Sequence, residues 1–329
     1  MNAHGEGGTR TGAASSAVGA WLARRGLDAT EIQPLAGDVS TRRYFRVALA
    51  GEAATWMVAY YPPELAAAQR RFAAAAPLLA RAGVRVPAVR VDDGEAGYAL
   101  VEDLGPSTLY ELFSSWDGAP HELSGALAAA GAIVGLDRES VAALGNPPLD
   151  AALLRRELAQ TVELLLAPRG LALPPLESAL DALCASLEQR PLVPCHRDLM
   201  ARNLVPVAPQ GVAVLDFQDL RLGPVGYDLA SLLNDSLFAS PAVEARCVSE
   251  WPRLAGAAAQ YRAAVVQRSL KAVGTYLAFA RRGMRRHLPL VVPTLERALE
   301  LFGQLPETVA LGDALVERIR AAGRDAAFC

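Results

Sequence analysis

The sequence lacks any apolar run long enough to cross a lipid bilayer. Its most apolar stretch, around residues 126–136, is far shorter than the ~20 residues that a transmembrane helix needs. Residues 1–16 are rich in Gly, Ala, Ser and Thr, carry Glu6 and Arg10, and lack the apolar segment of a secretory signal. We therefore predict a cytoplasmic protein without a membrane span, in which residues 1–16 form a disordered tail.

Cysteine and histidine are scarce and scattered. The four cysteines are far apart and form no C-x-x-C pair or other spacing typical of metal ligands. The four histidines are equally dispersed, and only His196 lies beside residues that suggest chemistry. This pattern favours a reducing cytosol and excludes a zinc site that could be recognised from spacing.

An excess of positive charge is also missing. The formal net charge is −3 at pH 7, so the sequence does not indicate a basic surface for nucleic acid or for an anionic membrane. We expect small-molecule partners, with neither nucleic acid nor a membrane among them, and a monomeric protein.

The strongest chemical pattern lies in residues 195–219. Asn203 follows Asp198 by five residues, and Asp216 follows it by eighteen at the end of the apolar segment 212–215. Transfer of a γ-phosphoryl group needs a carboxylate that orients the attacking hydroxyl, and hard oxygen ligands that hold Mg²⁺ against the phosphates. The spacing fits the kinase catalytic loop H-x-D-x-x-x-x-N and the position of the metal-binding D-F-G motif. A phosphoryl-transfer centre is therefore predicted.

Each of these residues taken singly has an ordinary explanation. Asp and Asn often stabilise turns by bonding to their own backbone. The three together, at kinase spacing and with one of them at the end of an apolar strand, favour the chemical interpretation.

Two lobes are predicted from the length and the hydrophobic pattern. The chain has 329 residues, of which 52% are hydrophobic, and it exceeds one typical domain. Before residue 104 the pattern follows the order β, β, β, α, β, β of a kinase N-terminal lobe, with strands near 32–35, 44–47, 55–60, 89–91 and 98–101 and a helix at 65–82. After residue 106 helical periodicity prevails, at 109–113, 123–136, 151–166, 176–187, 227–238, 261–282, 289–301 and 306–321. A further short helix is expected at 17–25.

These elements predict an α+β protein with a bilobal, protein-kinase-like fold. The N-lobe, residues 17–104, would bind nucleotide and hold a small antiparallel sheet with one main helix. The C-lobe, residues 105–329, would be larger and mostly helical, and would carry the catalytic loop, the metal ligands and the acceptor site.

A polar segment led by glycine, residues 37–43, interrupts the first two strands. Such a hairpin tip can offer backbone N–H groups, hydroxyls and guanidinium groups to phosphate oxygens. Because G-D-x-S is common in ordinary turns, a purely structural hairpin stays an alternative.

The sequence resembles the aminoglycoside phosphotransferase and choline kinase branch of the kinase-like fold, through residues 196–203, 215–217 and 227–230. Within this branch it is most similar to the anomeric amino-sugar kinases of bacterial cell-wall recycling. That narrower likeness lies in residues 35–47, 101–105, 216–229 and 268–276. The resemblance covers roughly residues 17–305.

The resemblance implies an ATP-dependent kinase that converts N-acetylglucosamine, N-acetylmuramate or a related hexosamine to its 1-phosphate for cell-wall recycling or UDP-sugar synthesis. It makes Asp198 the catalytic base and Asn203 and Asp216 the Mg²⁺ ligands. Asp228 is expected to be a buried acceptor that steadies the catalytic loop. The ATP-binding residues implied are Gly37, Ser40, Arg42, Arg43, Glu102, Asp103 and Leu104, the last three through their backbone at the adenine.

One departure from the family pattern concerns the phosphate cation. Kinases carry a lysine on the third strand for the α- and β-phosphates, but no lysine precedes Lys271 in this sequence. Arg42 or Arg43 could replace it, since a guanidinium group binds phosphate well. A nucleotide-binding pseudokinase is the alternative, although the intact Asp198 motif argues against it.

The acceptor pocket is expected along the loop after Asp216 and the helix that follows it. The candidate residues are Gln218, Asp219, Arg221, Tyr227, Asn234 and Asp235. A lactyl carboxylate would need an arginine, and the nearby Arg221 is better explained as a solvated loop charge. N-acetylglucosamine or a related amino sugar is therefore preferred, with N-acetylmuramate left open. An aminoglycoside would need a strongly acidic cleft, and the acidic residues of this region are few and scattered.

Overall fold

The computed structural model describes residues 6–35, 41–208, 211–251 and 257–328. The helices are α1 (Glu6–Ala23), α2 (Ala66–Arg81), α3 (Leu109–Leu112), α4 (Pro120–Val134), α5 (Arg138–Ala142), α6 (Ala151–Glu157), α7 (Ala159–Thr161), α8 (Pro174–Leu187), α9 (Tyr227–Asn234), α10 (Pro241–Glu250), α11 (Ala258–Arg281), α12 (Val291–Phe302) and α13 (Gly312–Phe328). The strands are β1 (Ala29–Pro34), β2 (Arg43–Leu49), β3 (Thr55–Tyr60), β4 (Val89–Asp93), β5 (Tyr98–Glu102), β6 (Val193–Cys195), β7 (Leu204–Val207), β8 (Gly211–Val214), β9 (Arg221–Gly223) and β10 (Leu237–Phe238). Gly37 and Ser40 lie outside the described residues, so their ATP-binding role stays a prediction.

The N-lobe is built on a five-stranded antiparallel sheet of order β1-β2-β3-β5-β4. Its register pairs Phe45 with Val58, and Val58 with Leu100. Because side chains alternate between the faces of a sheet, this row lies on one face, where it packs with the buried Trp21 of α1. The helix therefore covers one side of the sheet and leaves the other side for the cavity described below.

The opposite face of the sheet is directed towards the C-lobe. The row formed by Arg46, Met57 and Val101 lies there, one residue out of phase with the buried row. Helix α2 joins the two lobes on this side, where the ring of Phe72 stacks on that of Phe217 at 4.8 Å between centroids. The loop that bears Asp216 is thus packed against the N-lobe.

Helix α11 organises the C-lobe. It contacts α7, α8, α9 and α12 and has buried residues along most of its length. At Gly274 the approach of α7 is so close that a Cβ atom would lie 2.5 Å from the backbone nitrogen of Thr161. Thr161 Oγ1 donates a hydrogen bond to the carbonyl of Leu270 at 2.5 Å, which fixes the two helices together. Side chains on the cavity face of α11 are therefore held in a defined position.

Two helix boundaries differ from prediction. Helix α1 begins at Glu6, inside the segment 1–16 that was predicted to be disordered. Once a helix is anchored by buried side chains such as Trp21, each added residue costs little free energy, so the helix extends beyond its apolar anchor. Helix α13 begins at Gly312, six residues after its predicted start at 306.

The helix predicted at 227–238 is shorter than expected. It ends at Asn234, and the chain then turns through Ser236, whose φ of 66° lies in the left-handed region. Asn234 and Phe238 form a β-bridge across this turn. Asp235 therefore lies outside helix α9, and its side chain does not continue the face of that helix.

The structure confirms the predicted fold class. An antiparallel sheet with helices forms the N-terminal part, and the C-terminal part is mostly helical. In the part of the chain that the structure describes, no helix is both long and apolar enough to span a membrane.

Candidate active site

A cavity of about 730 Å³ lies between the free face of the sheet and the C-lobe. Residues of both lobes line it. The N-lobe contributes Arg42 and Met57, and the C-lobe contributes Asp198, Asn203 and Asp216. The three residues of the kinase-like motif therefore meet in one cleft, as their spacing predicts.

The catalytic loop is held in place by Asp228 at the start of α9. Its carboxylate accepts hydrogen bonds from the backbone N–H of His196 at 2.7 Å and of Arg197 at 2.9 Å. Arg197 has a φ of 79°, so the loop turns sharply just before Asp198. Burial raises the pKa of Asp228 despite these donors and the nearby His196. The predicted role of Asp228 as a buried acceptor that steadies the loop is confirmed.

Asp198 is surrounded by positive charge. Its Oδ1 accepts hydrogen bonds from Arg268 Nη1 at 2.9 Å and from Lys271 Nζ at 3.2 Å, and Arg197 Nη1 lies 3.9 Å from its Oδ2. Burial by itself would raise the pKa of Asp198, but the charges of Lys271, Arg268 and Arg197 outweigh burial and hold that pKa well below its ordinary value. The carboxylate is therefore ionised and weakly basic.

Lys271 links this site to a second carboxylate. Its Nζ lies 3.6 Å from Glu157 Oε2, and its side chain is 12% exposed. Burial lowers the pKa of Lys271, while the charge of Asp198 partly offsets the effect. Glu157 also pairs with Arg197, at 2.5 Å, so two of the three cations beside Asp198 share the same anion.

The sequence interpretation missed Arg268, Lys271 and Glu157. Arg268 and Lys271 stand three positions apart on α11, a spacing that puts both on one helical face. Lys271 is also the only lysine among the 32 lysines and arginines of the chain. The shared helical face and the single lysine are therefore the sequence features that could have indicated a contribution of α11 to the site.

Asn203 and Asp216 are arranged as oxygen donors. Asn203 Nδ2 donates to the backbone carbonyl of Asp198 at 2.8 Å, which orients the amide and leaves its oxygen for a ligand. Asp216 has a φ of 61°, and its side chain is 36% exposed on the cavity side. An amide and a carboxylate oxygen suit Mg²⁺, which completes its coordination with water and phosphate oxygens. These two residues are therefore the candidate pair, and in the described ranges no three His, Cys, Asp or Glu side chains cluster as a metal site.

The two candidate phosphate cations lie on opposite sides of the sheet. Arg42 enters the cavity, where its Nη2 donates to Asp216 Oδ1 at 2.5 Å and its Nη1 to Gln218 Oε1 at 3.3 Å. Arg43 is not among the cavity-lining residues, and its guanidinium carbon lies 5.5 Å from the ring centroid of Tyr60. Arg42 directly precedes β2 and Arg43 is its first residue, and consecutive residues of an extended chain point to opposite faces. The structure therefore does not place Arg43 at the phosphates.

The segment that joins the lobes also lines the cavity. Glu102, Asp103 and Leu104 all border it. The carboxylate of Asp103 accepts hydrogen bonds from Arg46 Nε at 2.5 Å and from Thr55 Oγ1 at 2.6 Å, and so fixes the segment to the sheet. The N–H of Glu102 donates to a neighbouring backbone carbonyl at 2.9 Å. Adenine contact by this backbone stays a prediction.

Two of the predicted acceptor residues reach the cavity. Gln218 lines it, and its Nε2 donates to Asp216 Oδ1 at 3.0 Å. Asp235 lines it as well, and it is held by Arg268 Nη2 at 3.1 Å and by the hydroxyl of Tyr276 at 3.2 Å. The early end of α9 accounts for the position of Asp235.

Asp219 and Arg221 do not line the cavity, contrary to prediction. Arg221 is buried, and its guanidinium group donates to the backbone carbonyl of Asp219 at 2.9 Å and to its carboxylate at 3.1 Å. It is therefore neither a solvated loop charge nor a ligand for the acceptor. Proximity in sequence to Asp216 was misleading because this ion pair binds both side chains into the C-lobe.

Tyr227 and Asn234 are also structural rather than cavity-lining residues. The hydroxyl of Tyr227 donates to Gln267 Oε1 at 2.9 Å in the core. Asn234 Oδ1 accepts from Arg297 Nε at 2.6 Å. Both side chains lie on the buried faces of α9, which are directed towards α11 and α12 instead of the cleft.

One wall of the cavity, the candidate acceptor side, is formed mainly by α11. Its cavity-lining residues recur at helical spacing, and they are Arg268, Lys271, Ala272, Thr275, Tyr276 and Phe279. Arg202, from the 3₁₀ turn Ala201–Asn203, faces them. This side of the cavity therefore presents three cations, Arg202, Arg268 and Lys271.

A bilobal kinase-like fold whose cleft brings together Asp198, Asn203 and Asp216 at the spacing of a kinase motif is that of a phosphotransferase. The sequence matches the model of the phosphotransferase enzyme family (APH) over residues 31–261. The chain belongs to this family.

Known relatives agree with this assignment. The chain is 33% identical over 306 residues to the N-acetylmuramate/N-acetylglucosamine kinase of Pseudomonas aeruginosa, covering 87% of this chain and 88% of that protein. Among solved structures, the choline kinase LicA of Streptococcus pneumoniae is similar with a TM-score of 0.57 at 14% identity, covering 95% of this chain and 99% of LicA. An ADP-bound aminoglycoside phosphotransferase gives a TM-score of 0.58 at 13% identity, covering 85% of this chain and 95% of that one.

Proposed function

We propose that the protein is an ATP-dependent kinase that phosphorylates the anomeric hydroxyl of an amino sugar, either N-acetylglucosamine, N-acetylmuramate or a related hexosamine. The observation that carries the proposal is the environment of Asp198. With two cations within 3.2 Å of one carboxylate oxygen, Asp198 is a weak base. A weak base suits an anomeric hydroxyl, which is more acidic than an ordinary alcohol. The relative from Pseudomonas aeruginosa, an N-acetylmuramate/N-acetylglucosamine kinase, supports the same acceptor class.

Each residue of the cleft has a place in this reaction. Asp198 orients the anomeric hydroxyl and accepts its proton as the oxygen attacks the γ-phosphorus, and the bond from that phosphorus to the β,γ-bridging oxygen breaks to release ADP. Asn203 and Asp216 would hold Mg²⁺, which neutralises phosphate charge when bound. Arg42 supplies the cation that the third strand lacks, and the backbone of residues 102–104 meets the adenine.

The charge of the acceptor side argues against an aminoglycoside as substrate. Arg202, Arg268 and Lys271 line that side together with the aspartates 198 and 235, and both aspartates are already engaged by Arg268. A polycationic acceptor would meet repulsion there. A pseudokinase is also disfavoured, because Arg42 compensates for the missing lysine.

The product would be a sugar 1-phosphate. Nucleotidyl transfer is the reaction class that consumes such a phosphate, so we propose that the enzyme acts in the cytoplasm and feeds UDP-sugar synthesis or cell-wall recycling.

The test is a substrate panel with Mg-ATP that contains free amino sugars, hexoses and kanamycin. We expect turnover of an N-acetylated amino sugar and phosphorus NMR coupling between the product phosphate and the anomeric proton. Phosphorylation of kanamycin alone, or of no acceptor, would overturn the proposal. Asp198→Asn should lower kcat by at least ~100-fold, as expected for loss of a general base, and full turnover by this variant would remove Asp198 from its role.

A further inference from the structure

Arg202 is a half-buried cation of the cavity, and two of its guanidinium nitrogens are shielded from solvent without a hydrogen-bond partner among the described residues. It lies four residues after Asp198, in the 3₁₀ turn Ala201–Asn203, and lines the cavity. Its guanidinium carbon is 4.6 Å from the ring centroid of Tyr110 and 5.6 Å from that of Tyr276. Its Nε and Nη2 atoms are shielded from solvent, and neither finds a hydrogen-bond partner among the described residues.

The other cations around the catalytic base are neutralised by carboxylates. These ion pairs join Arg197 to Glu157 and Asp219, Arg221 to Asp219, Arg268 to Asp198 and Asp235, and Lys271 to Asp198 and Glu157. Four cations thus face four anions. Arg202 is in no ion pair with any residue of the described ranges, and shielding two of its N–H donors from water without a counterion or acceptor is costly. The cavity therefore has an excess positive charge at Arg202 that an anionic group of a ligand could neutralise.

The contacts of Arg202 place it on the acceptor side of the cavity. Its neighbour Tyr276 donates to Asp235 at 3.2 Å, and Arg268 joins Asp235 at 3.1 Å to Asp198 at 2.9 Å. A short series of contacts therefore connects Arg202 to the base that activates the sugar. The cation of the nucleotide side is Arg42, which reaches the cavity from the N-lobe instead.

The geometry of Arg202 suits a carboxylate. Tyrosine rings lie near the guanidinium group, and stacking on rings uses the faces of its plane and leaves the N–H edge for hydrogen bonds. Two parallel N–H donors on that edge match the two oxygens of a carboxylate. A neutral sugar hydroxyl could accept one such bond but would leave the charge uncompensated.

We infer that Arg202 binds a carboxylate carried by the acceptor sugar and gives the enzyme a preference for an acidic amino sugar, such as the lactyl ether N-acetylmuramate, over N-acetylglucosamine. The inference rests on the proposed function and specifies the substrate class of the same site. It reverses the sequence-based preference for a neutral sugar, which depended on Arg221 as the available arginine.

The test combines a change in the protein with a matching change in the substrate. kcat/KM is measured with Mg-ATP for N-acetylmuramate, for its lactyl amide and for N-acetylglucosamine, using the wild type, Arg202→Met and Arg202→Lys. The matched control is Arg138→Met, because Arg138 is exposed on α5 and does not line the cavity.

For the wild type we expect a preference of about 10- to 100-fold for the acid over the amide, the range for a charge-assisted hydrogen bond. For Arg202→Met, kcat/KM for the acid should fall by that factor and become equal to kcat/KM for the amide. Its kcat/KM for N-acetylglucosamine should stay within about threefold of the wild-type value. Arg202→Lys should retain part of the preference for the acid, since lysine keeps the positive charge but lacks the two parallel N–H donors of the guanidinium group. Arg138→Met should behave as the wild type.

Three outcomes would overturn the inference while the proposed function stands: equal wild-type rates with acid and amide, an acid preference that persists in Arg202→Met, or an equal loss for both sugars in that variant. The comparison of acid with amide uses the wild type, so it can overturn the inference even if the variants fold poorly. If the wild type phosphorylates neither sugar, the proposed function itself fails.

Discussion

At the scale of single residues, the unusual feature is that Asp198, the proposed general base, is held between cations. Arg268 and Lys271 stabilise the ionised form of Asp198 and thereby weaken it as a proton acceptor. In the proposed reaction the same cations would lie close to the attacking oxygen, on which negative charge develops, and would compensate for the weaker base. The arrangement suits an acceptor that gives up its proton easily.

The pH dependence of activity tests this account. Asp198 must be ionised to act, so activity is lost as pH falls through its pKa, and in the wild type that loss lies below the ordinary carboxyl pKa of about 4. Lys271→Met removes one stabilising cation, so the pKa of Asp198 should rise and the acid limb of kcat/KM for the sugar should move up by about one unit or more. Profiles of kcat/KM against pH at saturating Mg-ATP would measure the shift.

Lys271→Arg is the matched control, because it keeps the positive charge beside Asp198. Its acid limb should stay close to that of the wild type. An unchanged limb in Lys271→Met would mean that Lys271 does not set the pKa of the base.

At the scale of secondary-structure elements, the site depends on how closely α11 packs. Arg268, Lys271 and Tyr276 all come from this helix. The position of α11 in the C-lobe depends on Gly274, because the absence of a side chain there allows Thr161 of α7 to pack closely against the helix. A packing contact on the far side of the helix therefore positions the groups around the catalytic base.

Gly274→Ala should both destabilise the protein and impair catalysis. The added Cβ would overlap Thr161 Oγ1 and lie 2.5 Å from the backbone nitrogen of the same residue, which forces the helices apart at a cost of about 1–3 kcal/mol. Chemical denaturation gives the loss of stability, and kcat with the sugar substrate gives the effect on the site.

Gly131→Ala is the corresponding control. Gly131 lies in α4, and a Cβ atom added there would have no heavy atom of another element within 4 Å. Alanine at this position should therefore stabilise the helix by up to about 1 kcal/mol. Equal stability of the two alanine variants would contradict the packing argument.

The arrangement of the helices and loops also explains which site residues could be predicted from the sequence. The catalytic loop and the loop of Asp216 are local motifs, so Asp198, Asn203 and Asp216 could be found from spacing alone. Arg268 stands 70 residues from Asp198 in the sequence, and a contact of that range depends on how α11 packs, which no local pattern encodes. Asp219 and Arg221 were misplaced for the converse reason: their mutual ion pair turns them away from a cleft that is close in sequence.

At the scale of the whole molecule, one ion pair crosses the cleft between the lobes. Arg42 of the N-lobe donates to Asp216 of the C-lobe at 2.5 Å, 174 residues apart in sequence. When nucleotide and Mg²⁺ bind, the two side chains would exchange this mutual contact for contacts with phosphate and metal. Before nucleotide and Mg²⁺ bind, this contact therefore occupies the side chains of both Arg42 and Asp216.

Replacing Arg42 should weaken nucleotide binding. We expect Arg42→Ala to raise the KM for ATP by about 10- to 100-fold, the value of a charge-assisted hydrogen bond to phosphate. Steady-state kinetics with varied Mg-ATP would measure it. Arg43→Ala should change that KM by less than about threefold, since its guanidinium group lies over Tyr60. Equal effects of the two substitutions would mean that the phosphate site has been misplaced.

The single lysine has a practical meaning for the chemistry of the whole chain. All other basic side chains except the histidines are arginines, so the ε-amine of Lys271 is the one side-chain amine that the protein offers to acylating, alkylating or cross-linking reagents. That amine lies beside the carboxylate of Asp198, and burial lowers the pKa of the amine. Amine-directed labelling, apart from the α-amino group, therefore becomes a direct measure of access to the active site, and a sugar that fills the cleft should protect it.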